Sequence, residues 1–228
     1  MANLLVIAGN TALKAAWSEG TTLGKTFRYQ GEKMLDYLLS MMEKEKPEVL
    51  TIASVSKVSQ EEEEILRKEC SHLIILDSDH TKYLLKYNIP EYLSSDRAAG
   101  IIAARYLFKN KACSIFNLGT TLSVDFIESD GNYSGGNISL GYRTRFKALE
   151  RYSRVKYSTE SIESGIFLGI KFEIEGYLCK NPNNITIFTG GDAIYFAKQM
   201  KNFIFVVCNL ELVGLAIITD EYVKTIIN

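Results

Sequence analysis

Three glycine-centred turns carry the residue types that phosphate chemistry needs: Gly9-Asn10-Thr11 with Lys14 close behind, Gly119-Thr120-Thr121, and Gly190-Gly191 inside the run from Thr189 to Ala193. A glycine lets backbone N–H groups approach an anion closely, a threonine adds a hydroxyl donor and a lysine adds a charge. One such turn by itself more often closes a hairpin than binds anything. Three of them, each at the end of an apolar run, point to a phosphate-binding cleft between two halves of the chain. Asp96 and Arg97 form a second candidate pair at the start of an apolar helix. Asp96 there is either a first-turn carboxylate favoured by the helix dipole or a general base, and Arg97 either a solvated helix residue or a fork for a carboxylate. Asp77, Asp79 and His80 in "LDSDH" read as a polar loop after a strand rather than metal ligands. Asp125 is expected to be an ordinary exposed strand residue; the alternative is that it partly replaces a carboxylate that the turns lack, since alternation alone does not fix its direction.

The elements that must hold these residues alternate along the chain. "LLVIAGNTALKAAW" reads as strand, tight turn, strand. "EKMLDYLLSMMEKEKPE" has the apolar spacing of an amphipathic helix ending before Pro47, "VLTIASV" is a buried strand, "SQEEEEILRKECS" a charged helix and "HLIILDS" another strand. "SSDRAAGIIAARYLFKN" is a helix with Asp96 in its first turn. The hairpin signal then returns in "CSIFNLGTTLSVDFIESDGNYSGG", followed by a long helix through Ile162, Ile166, Ile170 and Ile174, a strand "NITIFTGGDA" and a last strand "NFIFVV". Strands alternating with helices predict an α/β fold. Gly9 and Gly119 match as turn glycines, as do Thr11 and Thr121, so the chain is expected to hold two related halves, residues 1–109 and 110–228. No low-complexity linker separates them.

Composition narrows the function classes. A formal net charge of -1 gives no basic field for nucleic acid or an acidic membrane surface. The 46% hydrophobic and 23% charged fractions are ordinary for a globular protein. No apolar run is long enough to span a bilayer and no basic segment precedes the first strand, so neither membrane insertion nor export is expected. Cys70, Cys113, Cys179 and Cys208 lie far apart without CxxC spacing and read as reduced thiols, which places the protein in the cytoplasm.

Six blocks, "GNTALK", "YNIPEYLSSDRAA", "LGTTLSVDFIESDGNYSGGNISLGYRTRFKAL", "TESIESGI", "TGGDA" and "NLELVGL", resemble in order the type III pantothenate kinases of the acetate and sugar kinase, Hsc70 and actin superfamily. That resemblance implies two ribonuclease-H-like halves, a homodimer, and ATP-dependent phosphorylation of pantothenate in coenzyme A synthesis. It also implies Mg2+ and a monovalent cation, K+ or NH4+, as cofactors. By the same resemblance Gly9, Asn10, Thr11, Lys14, Gly119, Thr120, Thr121, Gly190 and Gly191 lie on the ATP phosphates and adenosine, with Thr189 beside them. Asp96 matches the family's base, Arg97 a contact to the pantothenate carboxylate, and Tyr87 and Thr159 the pantothenate pocket.

Four positions depart from the family pattern: Ser94 replaces a glycine, Leu140 stands where proline is usual, and the two turns lack their aspartates. The first turn reads Asp-x-Gly-Asn-Thr in that family, and here the aspartate position holds Ile7. The second reads Asp-x-Gly-Thr, and here the aspartate position holds Asn117, which leaves a neutral oxygen as the metal-side ligand. A hard cation prefers a charged oxygen. Two readings therefore stand: a pantothenate kinase, or a non-catalytic relative that binds pantothenate or nucleotide while its phosphate site has decayed.

Overall fold

The structure, a computed structural model, describes residues 2–9, 11–80, 82–153 and 158–227. It divides into two compact units, Met1–Ala103 with Leu210–Asn228, and Ala104–Asn209.

The first unit is built on β1 (Asn3–Ala8), β2 (Leu13–Glu19), β3 (Thr22–Tyr29), α1 (Met34–Met42), β4 (Val49–Ser54), α2 (Gln60–Lys68), β5 (His72–Leu76), α3 (Lys82–Leu85) and α4 (Ser95–Leu107), whose last turn passes into the second unit. The sheet order is β3-β2-β1-β4-β5. β1, β2 and β3 are antiparallel neighbours, and β4 and β5 join in parallel. One face of the ladder, Leu4, Val6, Leu13, Ala15, Leu50 and Ile52, packs with Leu38, Met41 and Met42 of α1 and Leu66 of α2 in one core cluster. β4 is buried at every position, as a strand covered on both faces must be. α2 starts with a reciprocal cap: the Ser59 hydroxyl accepts from the Glu62 backbone N–H, and the Glu62 carboxylate accepts from the Ser59 N–H.

The second unit repeats the plan with β6 (Cys113–Leu118), β7 (Thr121–Ile127), β8 (Tyr133–Leu140), α5 (Tyr142–Tyr152), α6 (Thr159–Lys180), β9 (Ile185–Thr189), α7 (Ala193–Ala197) and β10 (Phe205–Val206). Its sheet order is β10-β9-β6-β7-β8, which read backwards is the order of the first sheet. The core lies between Phe116, Leu118, Leu122, Val124 and Phe188 on the sheet and Ile166, Ile170, Ile174 and Leu178 on α6. Those four helix residues, spaced four apart, form the stripe that a helix presents to a sheet. The expected two similar α/β halves are present.

The expected boundaries differ from the observed division at the C-terminus. α8 (Leu210–Ile227) follows β10 but belongs to the first unit, where it packs on β1 and β4. A buried hydrogen bond of 2.6 Å joins the hydroxyls of Thr51 on β4 and Thr219 on α8. Gly214 explains how α8 fits: a Cβ there would lie 1.9 Å from the Ala99 carbonyl oxygen of α4, so the two helices cross with nothing between their backbones. All four cysteines are free, Cys70 and Cys113 buried, Cys179 and Cys208 exposed. No helix among the described residues is long and apolar enough to cross a membrane.

Candidate active site

The first glycine turn sits between β1 and β2, closed by the Gly9 N–H donating to the Ala12 carbonyl at 3.0 Å. Thr11 is exposed there, and Asn10 lies outside the described residues. Ile7, two residues before the glycine, is buried in the β1 ladder opposite Lys14 of β2. The Lys14 side chain is one quarter exposed and its ammonium stands 3.7 Å from the Glu211 carboxylate in the first turn of α8. Glu211 is 3% exposed. Burial pushes its carboxyl above the ordinary carboxylate range; Lys14 opposes that shift and Asp96 adds to it. The structure therefore brings Lys14 and Asp96, two residues singled out from the sequence, together with an acid that was not.

Asp96 lies in the first turn of α4, whose start is tied down by the Ser95 hydroxyl donating to the Ser54 carbonyl. Its Oδ1 is buried and has no hydrogen-bond partner among the described residues. A buried carboxylate oxygen without a donor is costly unless a ligand supplies one, and a substrate hydroxyl is such a donor. Arg97 is half-buried on the same turn. Tyr87 sits just after α3 with its hydroxyl donating to Glu221 of α8 at 2.6 Å, beside the Lys86 ammonium on the same oxygen. Burial and Glu221 both push that hydroxyl's pKa up, so Tyr87 remains a neutral donor.

In the second unit the turn after β6 is braced by backbone. The Gly119 N–H donates to the Thr121 carbonyl, and the Thr120 carbonyl accepts from the Gly141 N–H and from the Thr144 hydroxyl. A Cβ on Gly141 would come within 1.9 Å of the Gly119 carbonyl oxygen. Gly190 has a positive φ of 92°, and a Cβ there would fall 2.4 Å from the Leu118 carbonyl and 2.6 Å from the Asn117 Oδ1. Gly190 thus lets the Thr189–Gly191 loop close over Asn117, while Gly191 is exposed with nothing within 4 Å of its Cβ position. Asn117, Gly119, Thr120, Thr121, Gly190 and Gly191 are gathered at one end of this sheet, with the space where a side chain would stand left open at Gly119 and Gly191. Open glycine backbone of this kind suits phosphate and sugar. Among the described residues no three His, Cys, Asp or Glu side chains cluster to hold a metal. The side-chain oxygen this turn could offer a cation is Asn117 Oδ1, 4.0 Å from a Cβ placed on Gly119.

Two expectations need correction or refinement. Asp125 is not an exposed strand residue: it is 3% exposed and accepts from the Tyr133 hydroxyl at 3.2 Å, because β7 is flanked on both sides and its second face is also covered. Asp77 is a structural loop anchor rather than a bystander, accepting from the backbone N–H groups of Val58, Asp79 and His80 and bonded to the His80 ring. Thr159 opens α6 after the Ser158 cap and is exposed. The next turns of α6, through Ser161, Ile162, Gly165 and Ile166, line a cavity of about 1110 Å3 with Arg145 and Leu149 of α5. Arg145 is fixed there by the Leu140 carbonyl and by Glu173.

Glu211 and Glu221 were missed in the sequence because both bonds reach across most of the chain. The available signal was a lone acid in the otherwise apolar run "LELVGLAII".

Comparison with known proteins adds three findings. The model of the family described as type III pantothenate kinase matches residues 3–180. A type III pantothenate kinase of Azobacteroides pseudotrichonymphae genomovar. CFP2 is 32% identical over 230 residues, covering 93% of this chain and 94% of that one. The activator of the 2-hydroxyisocaproyl-CoA dehydratase from Clostridium difficile, solved with bound ADPNP, superposes with a TM-score of 0.61 at 11% identity over 99% of this chain and 96% of that one, and the ROK hexokinase from Thermus thermophilus with 0.52 at 10% identity over 99% and 100%. The fold is that of the actin-like ATPases.

Proposed function

The chain belongs to the type III pantothenate kinase family, and from that premise we propose that it transfers the γ-phosphoryl group of ATP to pantothenate with Asp96 as the base. The observation that carries this reading is the buried Asp96 Oδ1, which has no hydrogen-bond partner among the described residues. In the proposed reaction the pantothenate hydroxyl donates to Asp96, its oxygen forms a bond to the γ-phosphorus, the bond to the β-phosphate oxygen breaks, and ADP leaves. Asp96 orients the hydroxyl and takes its proton. Lys14 and the turns at Gly9, Thr11, Gly119, Thr120 and Thr121 bind the phosphates, and Gly190 and Gly191 the nucleoside side, with Asn10 as a further phosphate contact. Arg97 meets the pantothenate carboxylate, with Tyr87 and Thr159 on the same substrate. Mg2+ supplies charge on the phosphates when bound, and K+ or NH4+ is a further cofactor of this reading.

A cytoplasmic homodimer completes the proposal. Its support is the apolar exposure of the second-unit helices, where Tyr152 is 76% and Phe172 62% exposed. A second reading, a relative that binds without turnover, is favoured by one feature: Ile7 and Asn117 leave both turns without a carboxylate at their strand ends. A coupled assay for ADP release with ATP and pantothenate, run beside calorimetric titration of each ligand, separates the two. Turnover that depends on both substrates supports the kinase. Binding of either ligand with no ADP above the ATP-only blank supports the second reading.

A further inference from the structure

Lys14 is the one cation in the described first turn and the strand beyond it, and its surroundings are unusual. Across the β1–β2 ladder it faces Ile7, an apolar side chain that can neither orient nor balance an ammonium. The carboxylate that does reach it comes from a distant part of the chain, Glu211 in the first turn of α8. Glu211 is almost wholly buried, in a helix whose neighbouring residues Leu210, Leu212 and Leu215 are fully buried and apolar. Burying an acid in such a place costs stability, so packing alone would favour an apolar side chain there.

We infer that Glu211 is a positioning residue of the phosphoryl-transfer site, holding the Lys14 ammonium at the first turn of α8 and supplying from that helix the negative charge that β1 does not carry at Ile7. This rests on the kinase reading for what Lys14 does, but the placement of Lys14 stands on geometry alone. A flexible lysine is held in one direction only if a fixed partner directs it. α8 is itself fixed, by the Thr51–Thr219 hydrogen bond and by the close crossing of Gly214 on Ala99. The result is a lysine aimed by a helix rather than by its own hairpin.

The test uses the full chain and two readouts. Glu211→Gln keeps the shape and removes the charge. The rate of Lys14 acetylation, followed by mass spectrometry on the folded protein without any ligand, is expected to rise several-fold in Glu211→Gln, because the ammonium is no longer held. In steady-state assays the KM for ATP is expected to rise about tenfold, equivalent to about 1.4 kcal/mol, with a smaller change in kcat. Adding Ile7→Asp to Glu211→Gln places a carboxylate across the ladder from Lys14, within the reach of a cross-strand pair, and is expected to recover most of the KM. Glu211→Asp, which keeps the charge on a shorter stem, is expected to lie between wild type and Glu211→Gln. Equal acetylation rates in wild type and Glu211→Gln overturn the inference whether or not the protein is a kinase. Faster acetylation with an unchanged KM for ATP also overturns it. Faster acetylation in a protein that turns over no pantothenate supports the pairing and counts against the kinase reading instead.

Discussion

The turn after β1 and the turn after β6 occupy the same place in two copies of one ladder, yet they are furnished in opposite ways. On β1 the position two before the glycine is Ile7, which pairs with Lys14 on one side and Ala53 on the other. On β6 the same position is Asn117, which pairs with Ser123 and Thr189. The first set is apolar with one cation, whose counter-ion is brought in by α8. The second is neutral and polar, with the buried Asp125 two residues along β7 from Ser123. Strand order and register fix where a side chain stands, and the helices laid over the sheet decide which charge it meets. A carboxylate placed at the same ladder position would therefore have different consequences in the two units.

The largest effect expected falls on the first unit. Asp96→Asn removes the proton acceptor while keeping shape, and turnover should fall about 10²–10⁴-fold with an unchanged circular dichroism spectrum. If turnover persists at the wild-type rate, Asp96 is only a first-turn helix carboxylate.

The second unit should show its weakness in stability. A Cβ at Gly141 would meet the Gly119 carbonyl at 1.9 Å, whereas one at Gly119 finds its nearest neighbour, the Asn117 Oδ1, 4.0 Å away. Gly141→Ala should lower stability by about 1–3 kcal/mol, read as a lower denaturant midpoint, because backbone on both sides must shift. Gly119→Ala should leave the midpoint nearly unchanged and instead weaken nucleotide binding, since the methyl group occupies space left open for phosphate. A reversed order of the two midpoints would show that the turn, not its brace, bears the strain.

Asn117 gives a sharper form of the comparison. Asn117→Asp puts a charged oxygen under the second turn, and the Mg2+ concentration for half-maximal turnover should fall about tenfold, or about 1.4 kcal/mol. Ile7→Asp alone should change that concentration less, because its new carboxylate faces Lys14 and is drawn to the ammonium first. Equal responses would mean that the two turns contribute alike to the metal.

Much of this layout is legible in the sequence, and the reasons it stops are physical. The hairpins announce themselves by apolar runs either side of Gly9 and Gly119, since ladder periodicity and turn chemistry are local. α6 is legible through its stripe of isoleucines. α8 is not assigned correctly from sequence, because an apolar helix carries no mark of which sheet it will cover; Gly214 and Thr219 record the fit, and both are silent without their partners Ala99 and Thr51. Short α3 and α7 leave too few turns for a period to show. In the site, Asp96 and the glycine turns are legible by type and spacing, whereas the Lys14–Glu211 and Tyr87–Glu221 contacts join residues far apart in the chain. The burial of Asp125 follows from β8 and from the cover on its second face, which strand alternation alone does not reveal.

The smallest effect concerns Glu211 and the pH dependence of stability. Its carboxyl in the folded protein is pushed above its unfolded value by burial, with Asp96 adding and Lys14 opposing. The folded state therefore binds the proton more tightly than the unfolded chain, and stability from this group is present below the unfolded value, about 4.3, and lost as pH rises through the folded one. Glu211→Gln has no proton to release and escapes that loss. Its melting temperature should match wild type near about pH 4 and exceed it by a few degrees at neutral pH, about 2–4 °C for each kcal/mol in a chain of this size. Lys14, with a quarter of its side chain in solvent, can hydrate when its partner is neutral, so the lost ion pair should not reverse the sign. A variant more stable yet poorer in ATP binding would mark Glu211 as an acid kept for the site against the interest of the core. A melting curve of Glu211→Gln that falls below wild type across the whole range would instead show that its pairing with Lys14 outweighs its burial, and that the first turn is held together by the charge that its own strand lacks.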